Sequence, residues 1–424
     1  MAPTVTSTNI QVNGDTPIPK QGPVIVTRLE AENNHPDYAT AELLESKLNY
    51  YSNPSLFVTP DHVVEMRETA IPRLTVSQVL IHVRTTGICG SDLHLWHRGA
   101  IGPLTVEHSH VLGHESSGVV LATGSAVTHL KPGDRVAIEP QVPCHTCFLC
   151  TSGKYNLCES VAFSGVCHAG TIRRFMTHEA RYCHKMPDTM TFAQGALLEP
   201  LSVILHAIRQ CKGSISLGKP VLICGAGPIG LIALAAAKAS GAWPLVITDL
   251  EESRLKFARS FVPGAQTYLV PPSETPLDTS EKIRLLFGCK GNRNVDKGVP
   301  DENEYNAPTT VLECTGTESS VITAAYSCRR SGVVMVVGVG GSIMNNIPFM
   351  HLSLAEIELK FINRYSDTWP AGINVLANGQ VLNLDSLVTH TFPLERAVEA
   401  MALSVDRTKG SIKVQIVDDR EIKL

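Results

Sequence analysis

The sequence predicts two joined units: an all-β, barrel-like unit, then an α/β unit built on a parallel sheet with crossover helices. Three observations lead there. Between about residues 54 and 200, short β-forming runs are separated by turn signals. From about 201 onward, strands alternate with helical segments. At 424 residues the chain also exceeds what one hydrophobic core commonly organises.

The elements follow in order. Residues 1–47 are dominated by Pro, Thr, Asn and Glu without a persistent period, and read as a polar, disordered extension. They lack the charged-then-apolar order of a secretory signal and carry too few arginines for a transit peptide. Residues 78–84 (QVLIHVR), 117–121 and 135–139 read as strands, the last entered by the turn Lys131-Pro132-Gly133-Asp134. In the second unit 220–224 (PVLIC) is a buried strand, 228–240 a helix ending at Gly241, 245–248 a strand and 251–261 a helix. Residues 311–314 and 333–337 are later strands. Residues 288–308 (GCKGNRNVDKGVPDENEYNAP) interrupt the alternation and read as a surface loop insert, with too little apolar area to order itself.

Composition excludes some classes. A net charge of −4 leaves no basic surplus for a nucleic-acid backbone or an anionic membrane. No apolar run approaches the roughly 20 residues of a membrane span. Twelve cysteines without an export signal read as reduced thiols, which favours the cytoplasm.

Gly225-x-Gly227-x-x-Gly230 follows the strand 220–224 and opens a helix with Pro228 and Ile229, the context of a dinucleotide site. The glycines serve the tight turn, the close approach of the pyrophosphate and the packing of helix on strand, while the helix N-terminus faces the phosphates. Asp249 lies 19 residues after Gly230, at the end of the next strand, where its carboxylate binds the adenosine ribose and repels a 2′-phosphate. NAD is therefore expected over NADP. Arg254 reads either as a solvated surface arginine or as a residue that stacks near the adenine, and Val337, Gly338, Val339 and Gly340, with Lys413, are expected to shape the cofactor cleft.

Cys144, Cys147, Cys150 and Cys158 form C-x2-C-x2-C-x7-C in a polar loop and offer four thiolates to one tetrahedral zinc. With four protein ligands no water can bind, so this zinc is structural. Cys89 in Gly-Ile-Cys-Gly-Ser-Asp and His114 in Gly-His-Glu supply ligands from separate loops. Glu115 adjoins His114, and Glu199 in Leu-Glu-Pro-Leu sits where the two units meet, where a buried carboxylate is costly without a cation.

Together GICGSD, GHE, the four-cysteine lobe, LEPLSV, GAGPIG and Asn363-Arg364-Tyr365 resemble the zinc-containing medium-chain dehydrogenases, within them the sorbitol and L-arabinitol dehydrogenase group, over about residues 54–418. The resemblance implies a GroES-like β-barrel catalytic domain over 48–200 with a return segment over 365–424. Between them it implies an inserted Rossmann NAD-binding domain over 201–364, and a homo-tetramer, with a dimer as the alternative. It also implies two zinc ions per chain, one held by Cys89, His114 and Glu115, with Glu199 as either a fourth ligand or a hydrogen-bond partner of the zinc-bound water.

The expected reaction is oxidation of a secondary alcohol of an L-arabinitol-, sorbitol- or xylitol-like polyol to a ketone, with NAD+ taking the hydride and zinc lowering the pKa of the hydroxyl. In the family the proton leaves through a hydroxyl such as Ser91 and a histidine such as His94. Leu95, Phe163, Arg364 and Tyr365 are the expected substrate contacts. Two stretches depart from the polyol pattern: Leu95 replaces the aromatic after Gly-Ser-Asp-x-His, and 163–170 lacks the Thr-Pro-Pro run. Leu95, carried on the loop that delivers Cys89, is expected to face the substrate cavity and to disfavour a polyol. The rivals are the same chemistry on a non-polyol secondary alcohol, a small-alcohol dehydrogenase, a zinc-free quinone reductase and a non-catalytic zinc-binding protein.

Overall fold

The computed structural model describes residue 48, residues 50–295, 297–377, 379 and 381–422; the expected 1–47 extension lies outside the described residues. Among the described residues no helix is long and apolar enough to cross a membrane.

The first unit is a seven-stranded sheet. Strand Gln78–Gly87 pairs with Glu115–Thr123, with Phe175–Glu179 and with Lys413–Val417; Arg135–Ile138 and Cys183–Lys185 extend one edge, and Val388–Pro393 extends the other beyond Lys413–Val417. Gln78–Gly87 is buried along nearly all of its length, which explains why it reads as a continuous β-branched and apolar run rather than an alternating one. Its last three residues pair with the end of the chain, Gln415 opposite Gly87, so the C-terminal segment returns to the first unit.

The second unit is a six-stranded parallel sheet in spatial order Gln266–Leu269, Leu245–Asp249, Val221–Cys224, Thr310–Glu313, Val333–Val336, Glu358–Phe361. Numbered along the chain this is 3-2-1-4-5-6, the doubly wound order that opens a crevice at the carboxyl ends of the first and fourth strands. Both faces of Val221–Cys224 and Thr310–Glu313 are covered, as a central parallel strand requires.

Helix Phe192–Gln210 joins the units and runs straight through residues 200 and 201. It packs on Gln78–Gly87, Glu115–Thr123 and Arg135–Ile138, and also on helices Pro228–Ala239 and Trp369–Leu376. Thr191 and Gln194 form a reciprocal cap at its start, 3.1 and 3.0 Å, which fixes the register in which Glu199 is presented. One apolar cluster runs through this seam, from Ala137 and Met186 to Leu231, Ile247 and Trp369.

The 288–308 insert departs from the expectation that it cannot order itself. Polar contacts order it instead: Asp301 Oδ1 accepts the N–H groups of Lys290, Gly291 and Asn292, and the buried Arg284 reaches Asp301 and Glu304. Arg293 donates to Glu281, Ser280 and the Tyr326 carbonyl. Composition measures apolar area and is blind to this route.

Candidate active site

Three ligand-type atoms from Cys89, His114 and Glu115 lie within 4.8 Å of one another. Cys89 caps helix Gly90–Arg98; His114 and Glu115 open the strand Glu115–Thr123. Asp92 holds the two pieces together. One of its oxygens accepts the Cys89 N–H at 2.9 Å, and the other accepts the Gly113 N–H at 3.1 Å and faces His114 Nδ1 at 3.6 Å. Burial raises the Asp92 pKa against the pull of His114 and the two N–H groups.

The centre is anionic. Burial alone would push the His114 pKa down, but Asp92, Cys89 and Glu199 hold it well above its ordinary value. His114 Nδ1 is buried without a hydrogen-bond partner. A thiol, an imidazole and a carboxylate in a buried, negative setting fit a divalent zinc ion. Glu199 lies outside this group of three. Burial, with Glu115 adding, pushes its carboxyl up to about 7, against the opposing pull of His114, Tyr365 and Lys413.

The Phe163 ring lies 5.4 Å from the His114 ring, and the Arg364 guanidinium sits 4.8 Å over the Phe163 ring. Tyr365 is fully buried within electrostatic reach of Glu199, yet its hydroxyl makes no hydrogen bond of normal length. Arg364 Nη1 is likewise buried and unpartnered. Ser91 Oγ is 3.5 Å from Cys89 Sγ, and His94 follows three residues later on the same helix face.

Leu95 departs from expectation. The segment after Cys89 is a helix, not a loop, and Leu95 lies on its inner face with Asp92, 1% exposed, in the apolar cluster that holds Leu56, Leu112 and Leu394. The selectivity argument built on it falls with that placement. Lys413 is also relocated: instead of shaping the cofactor cleft, it is buried against Glu115.

The four cysteines of the lobe gather within 4.8 Å, with Cys144 Sγ and Cys150 Sγ 4.0 Å apart. Two sulfurs on one tetrahedral zinc at about 2.3 Å are separated by about 3.8 Å, so the spacing fits. The Thr146 hydroxyl and the N–H groups of Thr146 and Cys147 bring the Cys144 thiol down to about 6. Cys150, desolvated among the other sulfurs, is pushed up to about 12. Four such thiols ionise together only around a cation.

At the dinucleotide turn Gly225 has φ +97°, and a side chain at Gly230 would run into the Gly225 carbonyl. Helix Pro228–Ala239 begins there, with Pro228 and Ile229 in its first turn. Asp249 Oδ2 accepts the Ala226 N–H at 2.7 Å, and Oδ1 accepts the Glu251 N–H at 2.9 Å. Arg254 stands 4.0 Å from the same carboxylate. Across the crevice, Val337 and Gly338 donate to the Glu313 carbonyl, while the exposed Val339 lies against Gly316. The Glu313 carboxylate, fully buried, accepts from Thr315, Gly316 and Ser320.

The family model "Alcohol dehydrogenase GroES-like domain" matches residues 76–188, and "Zinc-binding dehydrogenase" matches 228–378. The chain is 47% identical over 387 residues to the L-arabinitol 4-dehydrogenase of Aspergillus oryzae, covering 90% of this chain and 98% of that one. It belongs to the zinc-binding dehydrogenases. The mouse (Mus musculus) sorbitol dehydrogenase is 43% identical over 349 residues, covering 82% and 91% of the two chains. The structure of L-idonate 5-dehydrogenase from Escherichia coli K-12 superposes with a TM-score of 0.74 at 30% identity, over 87% of this chain and 98% of that one.

Sequence reasoning about this dehydrogenase missed two residues and one pairing. Asp92 had a signal, an acid three positions after the helix-capping Cys89. Glu313, at the carboxyl end of a buried strand, had one by position alone. The pairing of Lys413 with Glu115 had none.

Proposed function

We propose that this dehydrogenase oxidises a secondary hydroxyl of an L-arabinitol-, sorbitol- or xylitol-like polyol to a ketone, with NAD+ as the hydride acceptor. The observation that carries the reading is the buried, unpartnered Arg364 Nη1 together with the buried Tyr365 hydroxyl, which faces Glu199 without a hydrogen bond of normal length. A buried donor without a partner costs about 1–3 kcal/mol, a cost that the additional hydroxyls of a polyol relieve and ethanol does not. The names of the relatives point the same way.

Cys89, His114 and Glu115 would hold one zinc, and Cys144, Cys147, Cys150 and Cys158 the second. When bound, zinc lowers the pKa of an alcohol hydroxyl and NAD+ accepts a hydride from its carbon. Gly225, Gly227 and Gly230 leave room for the pyrophosphate at the N-terminus of helix Pro228–Ala239, and Asp249 takes the ribose diol. Glu199, pushed up to about 7 by burial, exchanges a proton near neutrality. Ser91 relays the alcohol proton outward to His94. Burial, then Arg98, lowers the pKa of His94 and keeps it neutral and able to accept. Phe163 and Arg364 wall the substrate side.

The same reading extends to a homo-tetramer, a dimer being the alternative, and to the cytoplasm; twelve cysteines without a disulfide among them, five of them offered to zinc, support a reducing compartment. It further assigns 48–200 and 365–424 to a catalytic domain and 201–364 to a cofactor domain. The test is steady-state formation of reduced nicotinamide from L-arabinitol, xylitol, sorbitol and ethanol. At least one polyol is expected to reach about 10⁴ M⁻¹s⁻¹ in kcat/KM, with ethanol far behind. Preference for ethanol would overturn the reading.

A further inference from the structure

We infer that the four-cysteine lobe positions the substrate side of the active site, acting through Tyr155 and Asn156. The inference rests on the reading that Arg364 and Tyr365 meet the substrate. Tyr155 and Asn156 stand between Cys150 and Cys158 in the short turn Tyr155–Leu157, so a metal held by the cysteines fixes them as well.

From that turn, contacts converge on residues 363–367, more than 200 positions away. Asn156 Nδ2 donates to the Asn363 carbonyl at 2.8 Å. The Tyr155 hydroxyl accepts the Asp367 N–H at 2.9 Å and donates to Glu139 Oε1 at 2.8 Å. Gln141, just before the lobe, donates to the Tyr365 carbonyl at 2.7 Å and to the same Glu139 oxygen at 3.3 Å. Glu139 is buried and anchored from its other side by His184 at 2.7 Å. Three backbone groups of one five-residue segment are thus gripped by the lobe and the strand that leads into it.

The segment needs that grip. Arg364 and Asp367 both lie in the left-handed region, with φ of +55° and +52°. A non-glycine residue there is strained and keeps its conformation only where its surroundings over-determine it. Arg364 in turn covers Phe163, and Phe163 packs on His114. The contacts therefore run without a gap from the cysteine lobe to the imidazole of the Cys89 centre. In this arrangement Tyr155 and Asn156 touch neither substrate nor cofactor; they are positioning residues.

The experiment uses the full-length, zinc-loaded enzyme as Tyr155→Phe and, separately, Asn156→Ala. Hydrogen exchange over residues 363–369, zinc per chain, and KM and kcat for L-arabinitol, 2-butanol and NAD+ are measured. Both variants are expected to keep two zinc ions and to exchange the Asp367 amide faster. KM for L-arabinitol should rise about tenfold while kcat, KM for NAD+ and KM for 2-butanol stay within about twofold. Unchanged exchange over 363–367 in both variants overturns the coupling, whatever the substrate proves to be. Equal rises in KM for L-arabinitol and 2-butanol overturn the positioning role, since the lobe would then support the whole site alike. If the unmodified enzyme oxidises no polyol, the substrate reading fails by itself and the exchange measurement alone decides the coupling.

Discussion

Lys413 Nζ lies 2.9 and 2.7 Å from the two carboxylate oxygens of Glu115, 298 positions earlier in the chain, with both side chains buried. Its remaining donor reaches the Ile88 carbonyl at 3.1 Å, one residue before Cys89. Burial lowers the Lys413 pKa, but Glu115, Cys89 and Glu199 outweigh it and raise the value, so the ammonium stays charged. Lys413→Met leaves Glu115 as a buried, uncompensated charge, with an expected loss of about 3–5 kcal/mol in metal-free protein. With zinc bound the loss should be smaller, because the ion faces the same carboxylate. Denaturation with and without chelator reads the difference; equal losses would mean that Glu115 does not face the metal.

Asp249 closes the glycine turn through Ala226, and the proposed function gives it a second task, meeting the ribose. Asp249→Ser should raise KM for NAD+ by about 10- to 100-fold, the range for losing a charged hydrogen bond. It should also relax discrimination against NADP+, since Arg254, 4.0 Å away, is released toward a 2′-phosphate. The ratio of kcat/KM values for the two cofactors is the readout. Equal use of both by the unmodified enzyme would contradict the assignment.

Cys150→Ser should reduce zinc from two ions to one per chain by elemental analysis and lower the melting temperature before it lowers kcat, because the lobe's ion has no open position for substrate. Fresh, active enzyme without zinc would remove both sites from the account.

The fully buried Arg174 pairs with Asp418 at 2.6 Å and joins the C-terminal segment to the first sheet. Burial raises the Asp418 pKa, but His82 and Arg174 outweigh it and bring the value below the ordinary carboxylate range. A depressed folded-state pKa adds stability that is complete above the unfolded value of about 4 and is lost as pH falls through the lower folded value. Asp418→Asn should therefore cost about 3 kcal/mol at pH 7. The gap should narrow progressively as pH falls below the unfolded value of about 4, as read by urea denaturation across pH. A gap that persists undiminished at low pH would assign the effect to packing instead of charge.

The cysteine lobe and the dinucleotide turn were readable because their signals are short. Four cysteines within fifteen residues, or three glycines within six, bring their own geometry with them, since turns and loop closure at that range leave few arrangements. Strand and helix order followed for the same reason. Leu95 was misread because spacing alone does not say whether a ligand-bearing segment continues as loop or helix; as a helix it buries Leu95 beside Asp92.

By itself the sequence determined the two-unit architecture, the three ligand-type residues of the Cys89 centre, the cysteine lobe and the NAD crevice. The architecture, the lobe and the crevice follow from local periodicity or close spacing, whereas the ligand roles of Cys89, His114 and Glu115 followed from the family resemblance. Only the tertiary structure decided that Glu199 stands outside the group of three, that Lys413 neutralises Glu115, that Asp301 and Arg284 order the 288–308 insert, and that Tyr155 reaches Asp367. These are pairings of buried polar groups. The partner of each is set by which atoms desolvation brings within about 3 Å, and no one-dimensional pattern encodes that distance.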